Sequence, residues 1–459
     1  MNNGNISWLI LAFAAMNVIF LGGKRRAFGI FVAQLRQEFK GTTLTELNWI
    51  GDSYAALGHI TTTISTTLII KFGRCYRLSQ CIGSIFVLVS CLLSAYVPNP
   101  HWLFLTHTIL HGIGSSAILS TIGLVVNEHF DKDHKYHILA TTLISGGSIA
   151  SIVFVQFYAY LIETFTWRVA FIILGFIYFF VNLSATTVFR ENANRKNSNN
   201  DKNLFDEYRK INSFQMLLLL FWLFDRIITS VVTYGMLLNL ADFKHRSESS
   251  LQKSAFLTTL FAGGEASTYA IATVLSALTK NLLKDKLKYI LIVSSFSMSI
   301  LLVIWEYFQD FELLSLFLAF LSGFSLGPSI TFLFPAGEEM TQLKGYVAYP
   351  LTLGSMGIGM ILSPLLTASI AERYMYKWFF SVQGLFMLIK TLLLIFSSII
   401  INNRDRYKGN RYTTLRNQDG NSEEHSILID GDKLAESDGS DEEDFMKRNF
   451  TKTYRKSID

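Results

Sequence analysis

Charge is what this chain has least of. Asp, Glu, Lys and Arg make up 16% of its 459 residues, against roughly 25% in soluble domains, while half of the residues are hydrophobic. A soluble protein of that make-up would leave too much apolar surface against water. Cysteine is scarce too: Cys75, Cys81 and Cys91 all lie in or beside one apolar stretch, so no disulfide framework is expected. The chain has no phosphate-binding Gly-rich loop followed by Lys-Ser/Thr, no Cys/His metal spacing and no nucleophile elbow. Energy input from bound nucleotide is therefore not expected, nor a catalytic set, a metal site or a cofactor. The chain does not read as an enzyme. A formal net charge of +5 is too small to argue for nucleic acid. No cleavable signal peptide is expected, because the first apolar stretch runs too long and no small-residue cleavage site follows it.

What the chain has in abundance is long apolar runs. Twelve of them lie near 7–32, 47–70, 78–97, 102–127, 137–162, 168–189, 213–241, 253–279, 288–306, 311–337, 345–371 and 376–401. A bilayer needs about 20 residues at 1.5 Å each. The pattern predicts an all-α membrane protein of twelve transmembrane helices in two six-helix bundles. Its parts are an N-terminal bundle (1–189), a cytosolic linker (190–212), a C-terminal bundle (213–401) and a disordered cytosolic tail (402–459). Two six-helix halves around a linker are how secondary transporters are built, with solute bound between the repeats near the midplane. The expected partner is a small organic solute.

Loop charge orients the chain. With the amino terminus inside, the inside loops hold sixteen Lys and Arg, including Lys71, Arg74 and Arg77 after span 2 and Lys280, Lys284, Lys286 and Lys288 after span 8. The outside loops hold eight: Arg36, Lys40, Arg168, Lys244, Arg246, Lys253, Arg373 and Lys377. The positive-inside rule then places both termini in the cytosol. The tail starts basic (Arg404, Arg406, Lys408, Arg411) and turns acidic over 436–444, a composition that cannot bury a core. Its basic start suits anionic lipid headgroups. Plasma membrane is the default residence. Endolysosomal membrane is the rival, because of sorting-like strings in the tail and the lack of outside glycosylation sequons.

Ionisable residues inside spans are costly and mark function by default. His59, His111, Asp225, Arg226 and Glu265 fall near mid-bilayer, with Arg26 nearer the outer end of span 1 behind Lys24 and Arg25. Glu265 sits among small residues with no basic residue nearby, which suits proton exchange, although a hydroxyl-satisfied packing role fits the same sequence. His107 and His111, at i and i+4, share one face of span 4, as a proton relay, a metal pair or hydrogen-bonded packing residues. Asp225 and Arg226 are adjacent and point about 100° apart, so they cannot form an ideal pair, and each needs a partner elsewhere or a wet cavity.

Several strings resemble the monocarboxylate transporter family of the major facilitator superfamily. Asn3-Gly4-Asn5-Ile6-Ser7-Trp8 partly matches the family's first signature. Arg26-Ala-Phe-Gly-Ile-Phe31, then Thr42-Thr43 and Asn48-Trp49-Ile50, follow its run into span 2, and Lys71-Phe-Gly-Arg74 its next turn. The second signature appears as His129-Phe-Asp-Lys132, Leu139-Ala140 and Gly146-Gly147-Ser148; Trp167-Arg168 and Lys253-Ser-Ala-Phe-Leu257 also fit. The likeness covers about residues 4–400 and is stronger in the first half. It implies the superfamily fold and a single-span accessory subunit as a partner. The family's span 1 lysine falls on Arg26 and its span 8 acid, implicated in proton handling, on Glu265. Its span 8 arginine, thought to hold the substrate carboxylate, falls on Tyr269, a phenol that cannot neutralise an anion.

The resulting expectation is alternating access, secondary-active or facilitative, with proton linkage left open and a solute that is not a simple lactate-type anion. Arg26, His111, Asp225, Arg226, Glu265 and Tyr269 would bind solute or couple protons. Lys71, Gly73 and Arg74 would gate. The competing reading is a non-transporting membrane sensor or partner-binding protein that keeps the fold.

Overall fold

The computed structural model describes residues 3–42, 44–146, 151–192, 204–246, 251–279, 282–308, 310–374 and 378–419; some side chains within these ranges, Arg26 among them, lie outside the description. Chain contacts divide it into two units, Met1–Ile401 and Asn402–Asp459. In chain order the helices of the first half are α1 (Asn3–Glu38), α2 (Leu44–Ile60), α3 (Thr62–Lys71), α4 (Tyr76–Ala95), α5 (Leu110–His129), α6 (His137–Ser145), α7 (Ser151–Thr164) and α8 (Trp167–Ser184). A short α9 (Leu204–Arg209) lies in the linker. The second half holds α10 (Ser213–Arg246), α11 (Leu251–Thr279), α12 (Leu287–Phe308), α13 (Glu312–Thr331), α14 (Leu333–Thr341), α15 (Gly345–Tyr374) and α16 (Phe379–Asp419). The tail, expected to be disordered from 402, is helical as far as Asp419.

Among the described residues nine helices are long and apolar enough to cross a bilayer. The other three expected spans correspond to α2 with α3, α6 with α7, and α11. Span 2 breaks at Thr61, and hydroxyls occupy the break: Thr62 Oγ1 donates to the His59 carbonyl at 2.5 Å and Ser120 Oγ to the Thr62 carbonyl at 3.0 Å. Away from water, side chains must take over backbone groups that a helix break releases. A π-helical turn over Phe104–Ile109 precedes α5 and carries His107. In the second half Pro328 lies within α13, and Pro350 and Pro364 within α15.

The largest apolar core runs through α1, α2, α4, α5 and α8 and continues onto Tyr234, Phe334 and Tyr349 of the second half. A separate core around Val232, Phe261, Met298 and Trp305 serves the second half. Outward faces carry exposed apolar residues such as Phe180, Val293 and Leu392, as lipid contact requires. At its far end α1 is tied to α8: Arg168 donates to Glu38 Oε1 at 3.0 Å and Trp167 Nε1 donates to the other oxygen.

Candidate functional site

Helix α1 brings Lys24 and Arg25 to the middle of the protein, and one helical step of 100° sends them to different places. Arg25 borders a cleft between the halves, about 670 Å³ counting the space at its mouth. The α1, α2 and α5 walls include Gly22, Tyr54, His59 and Ser115; the facing wall includes Ile330, Tyr349, Leu353 and Met356. Arg25 is the one Lys or Arg among the described lining residues. Its guanidinium sits over the Tyr234 ring, 5.2 Å from the centroid, and its Nη1 lies 3.4 Å from His59 Nε2. His59 Nδ1 is 2.7 Å from the Ala55 carbonyl. A carbonyl only accepts, so Nδ1 carries the proton and Nε2 is left to accept from Arg25. The Arg25 Nε is buried and takes no hydrogen bond among the described residues.

Lys24 turns into the first half instead. Fully buried, it donates to His111 Nδ1 at 3.0 Å and approaches the Cys91 thiol at 3.4 Å. The Tyr54 and Tyr178 rings flank it at 5.7 and 5.6 Å. His107 stacks between Phe28 at 4.9 Å and His111 at 5.3 Å. A neutral nitrogen, a thiol and two ring faces make a soft cradle for a buried cation. It holds α1 against α4 and α5 and fixes the rotation that turns Arg25 toward the cleft.

The second half has its own buried charges. Asp225 and Arg226 pair directly, with Arg226 Nε donating to Asp225 Oδ2 at 2.6 Å, which corrects the expectation of partners elsewhere. The 100° separation governs the Cα–Cβ directions; the long arginine chain curls back across it. Arg226 also packs over Trp222 at 4.1 Å and donates to the Ser329 carbonyl at 2.7 Å, while Lys390 Nζ donates to Ser329 Oγ at 2.6 Å. This cluster joins α10, α13 and α16 within one half.

The halves meet closely from the cleft toward the end that bears α1's start. Tyr269 on α11 donates to the Leu143 carbonyl at 3.3 Å and packs against Gly146, where a Cβ would come within 2.1 Å of the ring. Gly123 receives Tyr349 in the same way, at 2.7 Å. Thr62 donates to the Pro350 carbonyl at 3.2 Å, and the Phe334 N–H to Ser145 Oγ at 3.1 Å. Beyond them His137 Nε2 meets Glu338 Oε2 at 2.6 Å, with Asn127 at 3.5 Å from the other oxygen. Next to it on α14, Glu339 accepts the N–H groups of Leu287 and Lys288 at 3.2 and 3.0 Å, capping α12. Burial pushes the Glu339 carboxyl up to about 7.

The expected gate residues act inside one half. Gly73 and Arg74 take left-handed conformations, φ 71° and 57°, and the Arg74 N–H returns to the Ile69 carbonyl at 2.8 Å to end α3. The Arg74 guanidinium reaches Glu128, which also accepts from Tyr76 OH at 2.6 Å; Lys71 is exposed. His137–Glu338 is the ionic contact that crosses the halves among the described residues. Removing one partner of a buried ionic contact costs about 3–5 kcal/mol. Glu338→Ala should therefore loosen this end. With Cys75, Cys81 and Cys91 changed to Ser and Ser145→Cys as reporter, thiol labelling from that side is expected to rise at least about tenfold. Unchanged labelling would show that the bond does not hold the halves together.

Helical halves around a central cleft, one of them crossed by a broken span 2, match a known pattern. The model of the Major Facilitator Superfamily matches residues 8–349. The chain belongs to the Major Facilitator Superfamily. It is a multi-pass membrane protein of that superfamily's fold. Among curated relatives it is similar to Monocarboxylate transporter 2 of Homo sapiens, 24% identical over 176 residues (38% of this chain, 35% of that protein). It is also similar to Monocarboxylate transporter 6 of Mus musculus, 26% identical over 174 residues (38% and 36%). The alignments span about a third of those relatives' length.

Within this superfamily frame the expected residues scatter. The Arg26 side chain lies outside the described residues; its neighbour Arg25 holds the cleft. His111 serves Lys24 in the first half, and Asp225 with Arg226 serve the second. Glu265 is fully buried on α11 beside Gly264, which packs on the Phe320 carbonyl of α13, and neither borders the cleft. Tyr269 joins the halves. Sequence reasoning passed over Arg25 and Glu338. Arg25 was findable as one of three consecutive cations.

Proposed function

We propose that this protein is a secondary-active or facilitative transporter working by alternating access, and that its solute is a small organic anion with an apolar body. The observation that carries this reading is a single guanidinium, Arg25, set in a cleft between the halves whose facing wall is largely aliphatic and aromatic. A planar guanidinium matches a carboxylate with two parallel hydrogen bonds, and Arg25 Nε takes no hydrogen bond among the described residues. Leu353, Met356 and Ile330 suit the rest of the solute. Tyr269 had pointed away from lactate-type anions, because it stands where the family keeps its arginine. Arg25 supplies a cation from the opposite half. The excess of basic residues in loops on one side supports cytosolic termini.

Purified protein in liposomes, given labelled monocarboxylates, organic cations and neutral amino acids, tests the reading. Uptake of monocarboxylates above empty liposomes is expected. Flux confined to cations would refute the anion site, and solute binding without flux would favour a sensor.

A further inference from the structure

The contact between His137 and Glu338 needs a proton. His137 opens α6, Glu338 lies on α14, and their side chains are 5% and 4% exposed. His137 Nδ1 sits 2.8 Å from the Phe130 carbonyl. A carbonyl only accepts, so Nδ1 carries a hydrogen. Nε2 then faces Glu338 Oε2 at 2.6 Å, a separation at which one hydrogen lies between the two atoms. Imidazolium with carboxylate and imidazole with carboxylic acid both fit, and they hold the same number of protons. Without that proton, a nitrogen lone pair would face a carboxylate in a buried site, which is costly. Gly345 makes room for the carboxylate, since a Cβ there would fall 2.0 Å from Oε1.

Neighbouring charges are engaged or exposed. Helix α6 packs against α1, α5, α11, α13 and α14. Glu128 on α5 is held by Arg74 and Tyr76, and Glu339 on α14 caps α12 beside Lys288. On the turn before α6, Asp131, Lys132, Asp133 and Lys135 are exposed and His134 is half-buried. Lys344, ahead of α15, pairs with Glu207 of α9 at 3.6 Å. The first ionisable residue of α1 is Lys24, and α13 has Glu312 at its opposite end. The other described contacts across this end, Thr62 to Pro350, Phe334 to Ser145 and Tyr269 to Leu143, use hydroxyls, backbone groups and a phenol. None of these changes charge between about pH 5 and 8.

We infer that His137 and Glu338 form a pH-sensitive lock on the end that bears α1's start, the cytosolic end in the proposed orientation. With the shared proton in place the halves stay joined there. As the pH on that side rises, the proton leaves, the contact turns repulsive and the closed end is released. In the parted form His137 meets water and exchanges its proton near pH 6.5, about the ordinary histidine value. Above that value the closed form holds one proton more than the parted form, so each pH unit favours parting by up to about tenfold. The proton enters and leaves on one side and none crosses with the solute. The inference needs halves that move, as alternating access does, and is independent of the anion site at Arg25.

The test is a distance between spin labels across that end, with no solute present. In the full chain, with Cys75, Cys81 and Cys91 changed to Ser, the labels go on Thr187→Cys in the first half and Lys284→Cys in the second, both exposed positions. In lipid nanodiscs this chain should show a short distance at about pH 6 and a growing longer one toward about pH 8.5. Glu338→Gln keeps the shape, and its amide accepts from an imidazolium or donates to a neutral ring. Its distance should stay short throughout. Glu338→Ala should show the longer distance already at the acid end. A pH-independent distance in the unsubstituted pair, with Glu338→Ala opened, would overturn the lock and leave alternating access standing. Full pH dependence in Glu338→Gln would overturn it as well. If no variant shows the longer distance, the halves do not part there, and alternating access fails together with the lock.

Discussion

Arg25→Ala should abolish monocarboxylate uptake, with at least a thirtyfold loss at equal surface expression. Truncating one partner of a desolvated charge pair costs about 2–5 kcal/mol, and each 1.4 kcal/mol is a factor of ten. Arg25→Lys should fall between, since an ammonium keeps the charge and loses the two-pronged geometry. The alanine variant also removes packing against Tyr234 and the contact with His59, so its loss is read at equal surface expression. Arg25→Gln keeps much of the bulk and removes the charge. That variant should reach the membrane in normal amounts and remain inactive. Normal transport by it would sink the anion site.

Gly323→Ala should prevent stable folding of the second half. A Cβ there would fall 1.9 Å from the Phe261 carbonyl oxygen, and the reciprocal Gly264 leaves only 2.1 Å to the Phe320 carbonyl. Both obstacles are helix backbone, which cannot turn aside as a side chain can. Helices α11 and α13 meet through this glycine pair, the close approach that small residues allow in membranes. Forcing them apart would separate Leu257 and Phe261 from Leu326 and Ile330 in the second-half core. Overpacking of a tight contact costs about 1–3 kcal/mol and more where nothing can give; the upper end is expected here. Gly263→Ala is the internal control, because nothing lies within 4 Å of its added Cβ. Thermal unfolding of the two variants in detergent should show a large drop for Gly323→Ala and little change for Gly263→Ala. Equal stabilities would mean that the two helices do not pack as described.

The central charges divide sharply in how legible they were. That ionisable residues inside apolar spans needed explaining could be read from composition; His59, His111, Asp225, Arg226 and Glu265 are buried. Their partners could not be read. Asp225 and Arg226 sat side by side in the chain, and the helical angle argued against a pair that the flexible arginine nevertheless makes. Tyr269 was identified as a departure in charge, yet its contact with Gly146 in the other half is a matter of shape. His137 and Glu338 lie 201 residues apart, and no local pattern joins them.

By itself the sequence determined the helices and their grouping into two sets of six. In hydrocarbon every backbone group must be satisfied within its own segment, so a run of about 20 apolar residues has almost no alternative to a spanning helix. The tertiary structure alone decided which of the consecutive cations Lys24, Arg25 and Arg26 meets the cleft. Successive residues on a helix differ by 100°, and apolar flanks on every side leave that phase unspecified. Packing of Lys24 against His111, Cys91 and two tyrosine rings sets it, and Arg25 is turned toward the space between the halves.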